Sequence, residues 1–259
     1  MGGKHASEIL KATAPPRFAP AYTVTALAVT AASRLWAYQL AARVRGRAPD
    51  RALRIMRRWC GWACRRLQLE VRIHGTPLPT PCIYVSNHRS YLDIPVLSSV
   101  LGASFLSRAD VAAWPVVGAV AREIGVVFVE RDDARGRVRA ARALMRRVHS
   151  ASVVVFPEGT THGEKLPGVF HPGLFRLLHR MQIAVVPVTV RYGDRRAYWT
   201  DDITLWEHLK TRVLAQPRLL CAVHIGSPLR AADHADAEAL ARDVYATICR
   251  PIEECGELV

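Results

Sequence analysis

Residues 85–95 read VSNHRSYLDIP and set a histidine, His88, five residues before a carboxylate, Asp93. On one continuous helix a spacing of five turns through ~500° and leaves the two side chains well apart. Pro95 fits a first helical turn but not a helix interior. A helix that starts near Asp93 satisfies both constraints. A strand then ends at Ser86, Asn87 and His88 lie in the turn, and His88 folds back onto Asp93. A carboxylate on one imidazole nitrogen fixes the tautomer and leaves the other nitrogen free to take a proton from an alcohol. General-base help of this kind contributes ~10²–10⁴ in rate. Taken alone, the spacing equally fits an Asp93 that caps a helix and an ordinary, partly buried His88.

Two further stretches carry polar residues at the ends of apolar runs. Residues 153–163, VVVFPEGTTHG, lead a buried strand into a turn holding Glu158, Gly159, Thr160 and Thr161. Gly159 permits a positive φ, and the turn's hydroxyls and N–H groups can face an anion or a polyol. Glu158 can accept a substrate hydroxyl or hold an arginine, or the stretch is a plain β-turn with a solvated carboxylate. Residues 125–133, GVVFVERDD, deliver Arg131 to a strand end. Sites assemble at such ends in open α/β sheets, and Arg suits phosphate by bidentate geometry. A surface pair with Asp132 or Asp133 is the simpler alternative.

The elements that must position these residues are legible in the pattern. Apolar β-rich runs fall at residues 82–86, 103–107, 126–129, 152–156, 184–190 and 219–226, and several are apolar throughout, as expected of strands buried on both faces. Helical periodicity lies between them at 136–149 and 231–249, the latter opening with Asp233, Asp236 and Glu238. The expected fold class is α/β: a mixed, largely buried sheet flanked by helices, with an N-terminal helical, membrane-associated appendage. The expected domains are a loose arm over 1–20, a basic helical pair over 21–70, and the α/β domain over 71–259. Nucleotide fingerprints and the G-x-S-x-G elbow are absent from the sequence.

The 259 residues carry 36 basic and 22 acidic side chains, a net +14, with a pI near 10.2 and a mean hydropathy of +0.07. This is too apolar for a disordered polyelectrolyte, and no uncharged run of roughly 18 residues marks a multi-pass membrane protein. The six cysteines follow no zinc spacing and read as reduced thiols of a cytosol-facing protein. Between Arg34 and Arg72 there are 11 Arg against Asp50 and Glu70, and residues 135–147 hold six more. Nucleic acid and an anionic membrane are the two partners such clusters suggest. Residues 22–42 are apolar apart from Arg34 and Gln39, with Trp36 and Tyr38 near the charge. That favours a membrane, as a strained span or an interfacial helix. Lys4 and Lys11 before the run also fit a signal peptide, but the arginines that follow argue against one. Residues 51–69 place Leu53, Met56, Cys60, Ala63 and Leu67 at helical spacing among arginines: a basic amphipathic helix, lying on lipid or on the protein's own core.

The order Asn87-His88-x4-Asp93, Gly125-x-x-Phe128-x-x-Arg131, Phe156-Pro157-Glu158-Gly159-Thr160, Val186-Pro187-Val188 resembles the glycerolipid acyltransferases, and in particular the bacterial 1-acylglycerol-3-phosphate O-acyltransferases, over roughly residues 70–230. The resemblance implies acyl transfer from acyl-CoA or acyl carrier protein to a lysolipid hydroxyl. The foremost acceptor is 1-acylglycerol-3-phosphate, at the cytoplasmic face of the inner membrane, with no metal, cofactor or nucleic acid involved. It implies His88 as general base, Asp93 as its orienting partner, and Asn87, Arg131, Glu158, Gly159 and Thr160 as substrate-binding residues, with Pro187 near the acyl chain. Many relatives carry Phe-Lys-x-Gly where this chain has Phe170-His171-Pro172-Gly173. The lost fixed charge leaves a lyso-ornithine lipid as an alternative acceptor. A non-enzymatic anionic-membrane-binding protein would explain the charge, and a metal enzyme using His88, Asp93, His162 or His171 would explain the polar residues, but neither explains all the stretches together.

Overall fold

The computed structural model describes residues 8–9, 20–200, 203–215 and 218–254. Two helices lead the chain, α1 (Pro20–Arg45) and α2 (Pro49–Arg66). Gly46, at φ +77°, turns between them. Pro49 starts α2, and Asp50 in its first turn with Arg65 and Arg66 in its last complement the helix dipole. Just beyond α2, Gln68 takes the left-handed conformation and turns the chain into the sheet. Strand and helix then alternate through β2 (Leu69–His74), β3 (Ile83–Ser86), α3 (Asp93–Leu101), β4 (Ser104–Arg108), α4 (Val117–Glu123), β5 (Val127–Val129), α5 (Ala134–Val148), β6 (Val153–Val155), α6 (Pro172–Met181), β7 (Val185–Tyr192), α7 (Leu205–His208), β8 (Leu219–Ile225) and α8 (Ala237–Glu254). A two-residue strand, β1 (Glu8–Ile9), pairs antiparallel with β2. The rest of the arm expected over 1–20 lies outside the described residues, apart from Pro20 in α1.

The strands form one mixed sheet in the order β1-β2-β8-β7-β3-β6-β4-β5. Strands β3, β6, β4, β5 and β7 run parallel, so their carboxyl ends share one edge. Strand β8 runs antiparallel to β7 and carries β2 parallel beside it. Side chains alternate between faces. Tyr84, Val154, Val186, Val188 and Val190 join a core under α2 and α3. Ile83, Val85, Val153, Val155 and Val185 join a second core with Leu144, Phe175, Leu178, Leu240, Val244 and Ile248 from α5, α6 and α8. Both faces are covered, which is why these strands read as unbroken apolar runs. Each fully buried Leu, Ile or Val contributes about 1.5–3 kcal/mol.

All six expected strands form, with ends shifted by at most two residues. The helix expected over 51–69 forms as α2 and ends at Arg66, and a strand outside the expected runs, β2, begins at Leu69. LEVRIH alternates apolar and polar, and Leu69 and Val71 bury against the sheet. The helix expected over 231–249 starts at 237, where Asp236 accepts from Ala239 N at 2.7 Å. The stripe on α2 also has a settled partner. Leu53, Cys60, Ala63, Cys64 and Leu67 are buried, with Cys64 and Leu67 in the same core as α3. The apolar face of α2 is therefore closed by the protein itself, and Arg54, Arg57, Arg58 and Arg65 are exposed. The five cysteines within the described residues are free and buried.

The β2–β8 register sets His74 opposite His224, with rings stacked 4.4 Å apart. Burial, then His74 and Arg191, lower His224 from 6.5 to about 4. Between those values the unfolded chain binds a proton that the folded chain refuses. Stability is therefore intact above about pH 6.5 and falls as the pH drops toward 4. His224→Gln should lose less melting temperature than the parent between about pH 7 and about pH 4.5. Parallel thermal melts at the two pH values check this, and equal losses would refute it.

Candidate active site

The carboxyl edge of the parallel strands gathers the chemistry-bearing residues, because each strand there hands over to a loop. Strand β3 ends in Ser86 and passes to Asn87 and His88. The Asn87 amide is fully buried: Nδ2 donates to Val190 O at 2.9 Å and Oδ1 accepts from Val190 N at 2.7 Å. This clamps the exit of β3 to β7. A substrate contact for Asn87 does not fit this geometry, since both ends of its amide are taken by the main chain.

The chain 88–93 closes around one carboxylate. Asp93 Oδ2 accepts from His88 Nδ1 at 2.7 Å, from Arg89 N at 2.7 Å and from Ser90 N at 3.0 Å. Oδ1 accepts from the Tyr192 hydroxyl at 2.7 Å. Oδ2 already acts as an acceptor for two main-chain donors, so the imidazole supplies the third hydrogen: Nδ1 is protonated and Nε2 of the neutral ring is left as the acceptor. The Asp93 side chain is wholly buried, while 19 % of the His88 side chain is exposed. The His88 ring stacks on Phe156, centroids 4.0 Å apart. Burial, then the Asp93 charge, raises the Tyr192 phenol well above 10, so it stays a donor. Asp93 thus both opens helix α3 and orients the histidine.

Glu158 lies at the exit of β6, and its carboxylate is fully buried. Oε1 accepts from His88 N at 2.8 Å and Oε2 from Gly168 N at 2.7 Å. Arg89 Nη1 stands 3.9 Å and His162 Nε2 3.7 Å from Oε2. Arg89 is itself buried, donates to Lys165 O at 3.0 Å and lies over the Tyr198 ring. Of the two roles expected for Glu158, taking a substrate hydroxyl does not fit, because the carboxylate is fully buried. Holding an arginine does, together with the backbone of His88. Glu158→Gln sets an amide N–H against one of these buried N–H donors and strips the counter-charge from Arg89. It should cost about 2–4 kcal/mol of stability, read as a lower urea midpoint, and an unchanged midpoint would contradict this account.

Arg131 follows β5 and donates from Nη1 to Gly159 O. Gly159 has φ +76°, and a Cβ there would stand 2.6 Å from Arg131 Nη1 and 3.1 Å from His171 Nε2. Gly159 is therefore favoured by its left-handed backbone, and the ends of these two side chains lie close against it. Burial, then Arg108 at the end of neighbouring β4, lowers the Arg131 guanidinium from its usual value. Thr160 is exposed beside this cluster. Pro187 is buried in β7 opposite Val85. It alternates with Val185 and Thr189, whose hydroxyl donates to Ile248 O of α8. Its side chain thus lies on the α6–α8 face, the other side of the sheet from Tyr192 and Asp93. Among the described residues no three His, Cys, Asp or Glu side chains come together as metal ligands.

Arg89 and Tyr192 join this candidate site, and motif reading passed over both. Arg89 sits beside the histidine, but its partner Glu158 is remote in sequence. For Tyr192 a signal existed: it shares strand parity with Val186, Val188 and Val190, which places it on the α3 face.

Residues 70–191 match the family described as Acyltransferase. The lyso-ornithine lipid O-acyltransferase of Pseudomonas aeruginosa is 35% identical over 162 residues, 60% of this chain and 62% of that protein. The lyso-ornithine lipid O-acyltransferase of Rhizobium meliloti is 33% identical over 207 residues, 72% of this chain and 70% of that protein. The fold is similar to the crystal structure of the 1-acyl-sn-glycerophosphate acyltransferase PlsC of Thermotoga maritima, with a TM-score of 0.66 at 19% identity, covering 91% of this chain and 92% of that one. With the matched segment holding His88, Asp93, Arg131 and Glu158, and a third of positions shared across most of the Rhizobium protein, this chain belongs to the acyltransferase family.

Proposed function

We propose that this protein transfers a fatty acyl group from an acyl thioester, carried by CoA or by acyl carrier protein, to the free hydroxyl of a lysolipid at a membrane surface. The observation that carries this reading is the His88–Asp93 pair, with Nε2 free and the ring partly exposed. Nε2 takes the proton of the acceptor hydroxyl as its oxygen attacks the thioester carbonyl. The tetrahedral intermediate collapses, the C–S bond breaks, and the departing sulfur takes the proton back from Nε2. Asp93 stabilises the imidazolium that exists between the two transfers. Arg131, with Gly159, Thr160 and His171 around it, receives the acidic part of the headgroup.

For the acceptor, a lyso-ornithine lipid is the reading that the site and the relatives favour. His171 stands beside Arg131 where many relatives carry a lysine, and two of the relatives described carry that activity in their names. The alternative, 1-acylglycerol-3-phosphate, draws on the motif order and on the bidentate suitability of Arg131 for phosphate. Mass spectrometry of products from both lysolipids, each offered with both donors, tests the reading. No diacyl product from any combination would end it.

Membrane association, in this proposal, belongs to α1. Tyr22, Val29, Trp36, Leu40 and Val44 are exposed and fall within ~80° of one another around the helix. Among the described residues no helix is long and apolar enough to cross a membrane, so α1 lies in the interface with Trp36 at headgroup depth. Arg54 and Arg58, exposed on α2, add attraction to anionic lipid. The cytoplasmic face of the inner membrane is the surface proposed, with residues 20–66 as the membrane-facing appendage to the α/β domain. Trp36→Glu should weaken binding to anionic vesicles by about ten-fold, read by flotation.

A further inference from the structure

A second basic surface lies away from the reacting residues, on α5. Arg135, Arg139, Arg142 and Arg146 are all exposed. At about 100° per residue they fall within ~60° of one another, in a row ~17 Å long. The buried side of the helix, Gly136, Ala140, Leu144 and Val148, is centred ~150° round from that row. The row therefore points straight out from the sheet. Arg139 is paired with Glu130 and Asp133. Arg135, Arg142 and Arg146 have no acidic partner among the described residues. Val138 and Met145, one heptad apart beside the row, are exposed although apolar. A groove of about 460 Å³ runs along the other side, lined by Ala109, Phe128, Arg139, Arg142 and Arg146.

We infer that this face of α5 is the docking surface for an acidic acyl carrier protein that delivers the donor thioester; the inference rests on the acyltransferase reading above. Three observations choose this occupant. The sheet stands between α5 and the helices α1 and α2, since α5 belongs to the opposite core. A chain resting on lipid through α1 thus turns the α5 row toward solvent, where a soluble partner arrives. The row is long and straight, with apolar side chains beside it. A partner helix bearing acids every three to four residues engages Arg135, Arg142 and Arg146 together, whereas the clustered phosphates of one nucleotide reach at most two. Finally, α5 begins at Ala134, shortly after Arg131, at the carboxyl edge of β5. From β5 to β3 is three strand spacings, ~14 Å. An extended pantetheine arm, comparable to about five extended residues or ~16 Å, spans that distance to His88.

The test measures binding of palmitoyl-loaded acyl carrier protein to the full chain and to the variant Arg135→Glu/Arg142→Glu/Arg146→Glu, together with transfer from that carrier and from palmitoyl-CoA. The variant should bind the carrier about ten-fold or more weakly, with a flatter salt dependence and a matching rise in KM for the carrier. The KM for palmitoyl-CoA should stay within about two-fold, and vesicle binding should persist. Unchanged carrier binding overturns the inference. So does an equal loss with palmitoyl-CoA, which would assign the row to nucleotide phosphates, or a selective loss of vesicle binding, which would assign it to lipid. A parent protein that binds the carrier through these arginines but transfers from neither donor would leave the docking surface standing and remove the acyltransferase reading.

Discussion

His88→Ala is expected to lower the rate of acyl transfer by about 10²–10⁴-fold with little change in stability. The ring contributes a free acceptor nitrogen aligned by a buried carboxylate. Its loss removes the base that takes the hydroxyl proton, but leaves the loop in place. The loop is held through main-chain contacts, His88 N to Glu158 and Arg89 N and Ser90 N to Asp93, and alanine keeps all of them. The stacking on Phe156 is the packing given up. Single-turnover transfer, with circular dichroism and vesicle flotation as controls, measures the effect. Parent-like activity in a folded His88→Ala protein would exclude the mechanism.

Asp93 separates catalysis from folding through two substitutions with different expected outcomes. In Asp93→Asn the amide oxygen can stay on the three donors at Oδ2, while its NH2 turns toward the Tyr192 hydroxyl, which rotates to accept. The three bonds at Oδ2 survive, the Tyr192 hydrogen loses its acceptor, and the charge is lost. The imidazolium then goes uncompensated, and transfer should fall about 10²–10⁴-fold with a nearly unchanged unfolding midpoint. Asp93→Ala instead leaves two main-chain N–H groups, a phenol and an imidazole without their acceptor inside the protein. That should cost about 3–5 kcal/mol, read by urea unfolding. Equal stability of the two variants would show that Asp93 does not organise the loop. Tyr192→Phe, which removes one of four donors, should give a smaller loss of rate and shift the acid limb of the pH–rate profile, a readout that a merely structural tyrosine would not move.

The pattern of apolar runs determined six strands of the sheet, because side chains buried on both faces leave an unbroken signature that needs no partner to be recognised, whereas the alternating β2 escaped it. The spacing His88-x4-Asp93 with Pro95 likewise determined a helix opening at the carboxylate, since local sterics allow little else. What each polar residue touches was decided only by tertiary structure. Asn87 and Glu158 look in sequence like groups waiting for substrate, yet the crossing of β7 and the return of the 158–168 loop give them main-chain partners. The stripe of α2 has the same composition whether it faces lipid or α3, and only the packed fold chose α3. Tyr192 reaches Asp93 from 99 residues away. Contacts of that range depend on strand order and register, which follow from how the whole core closes and leave no local trace.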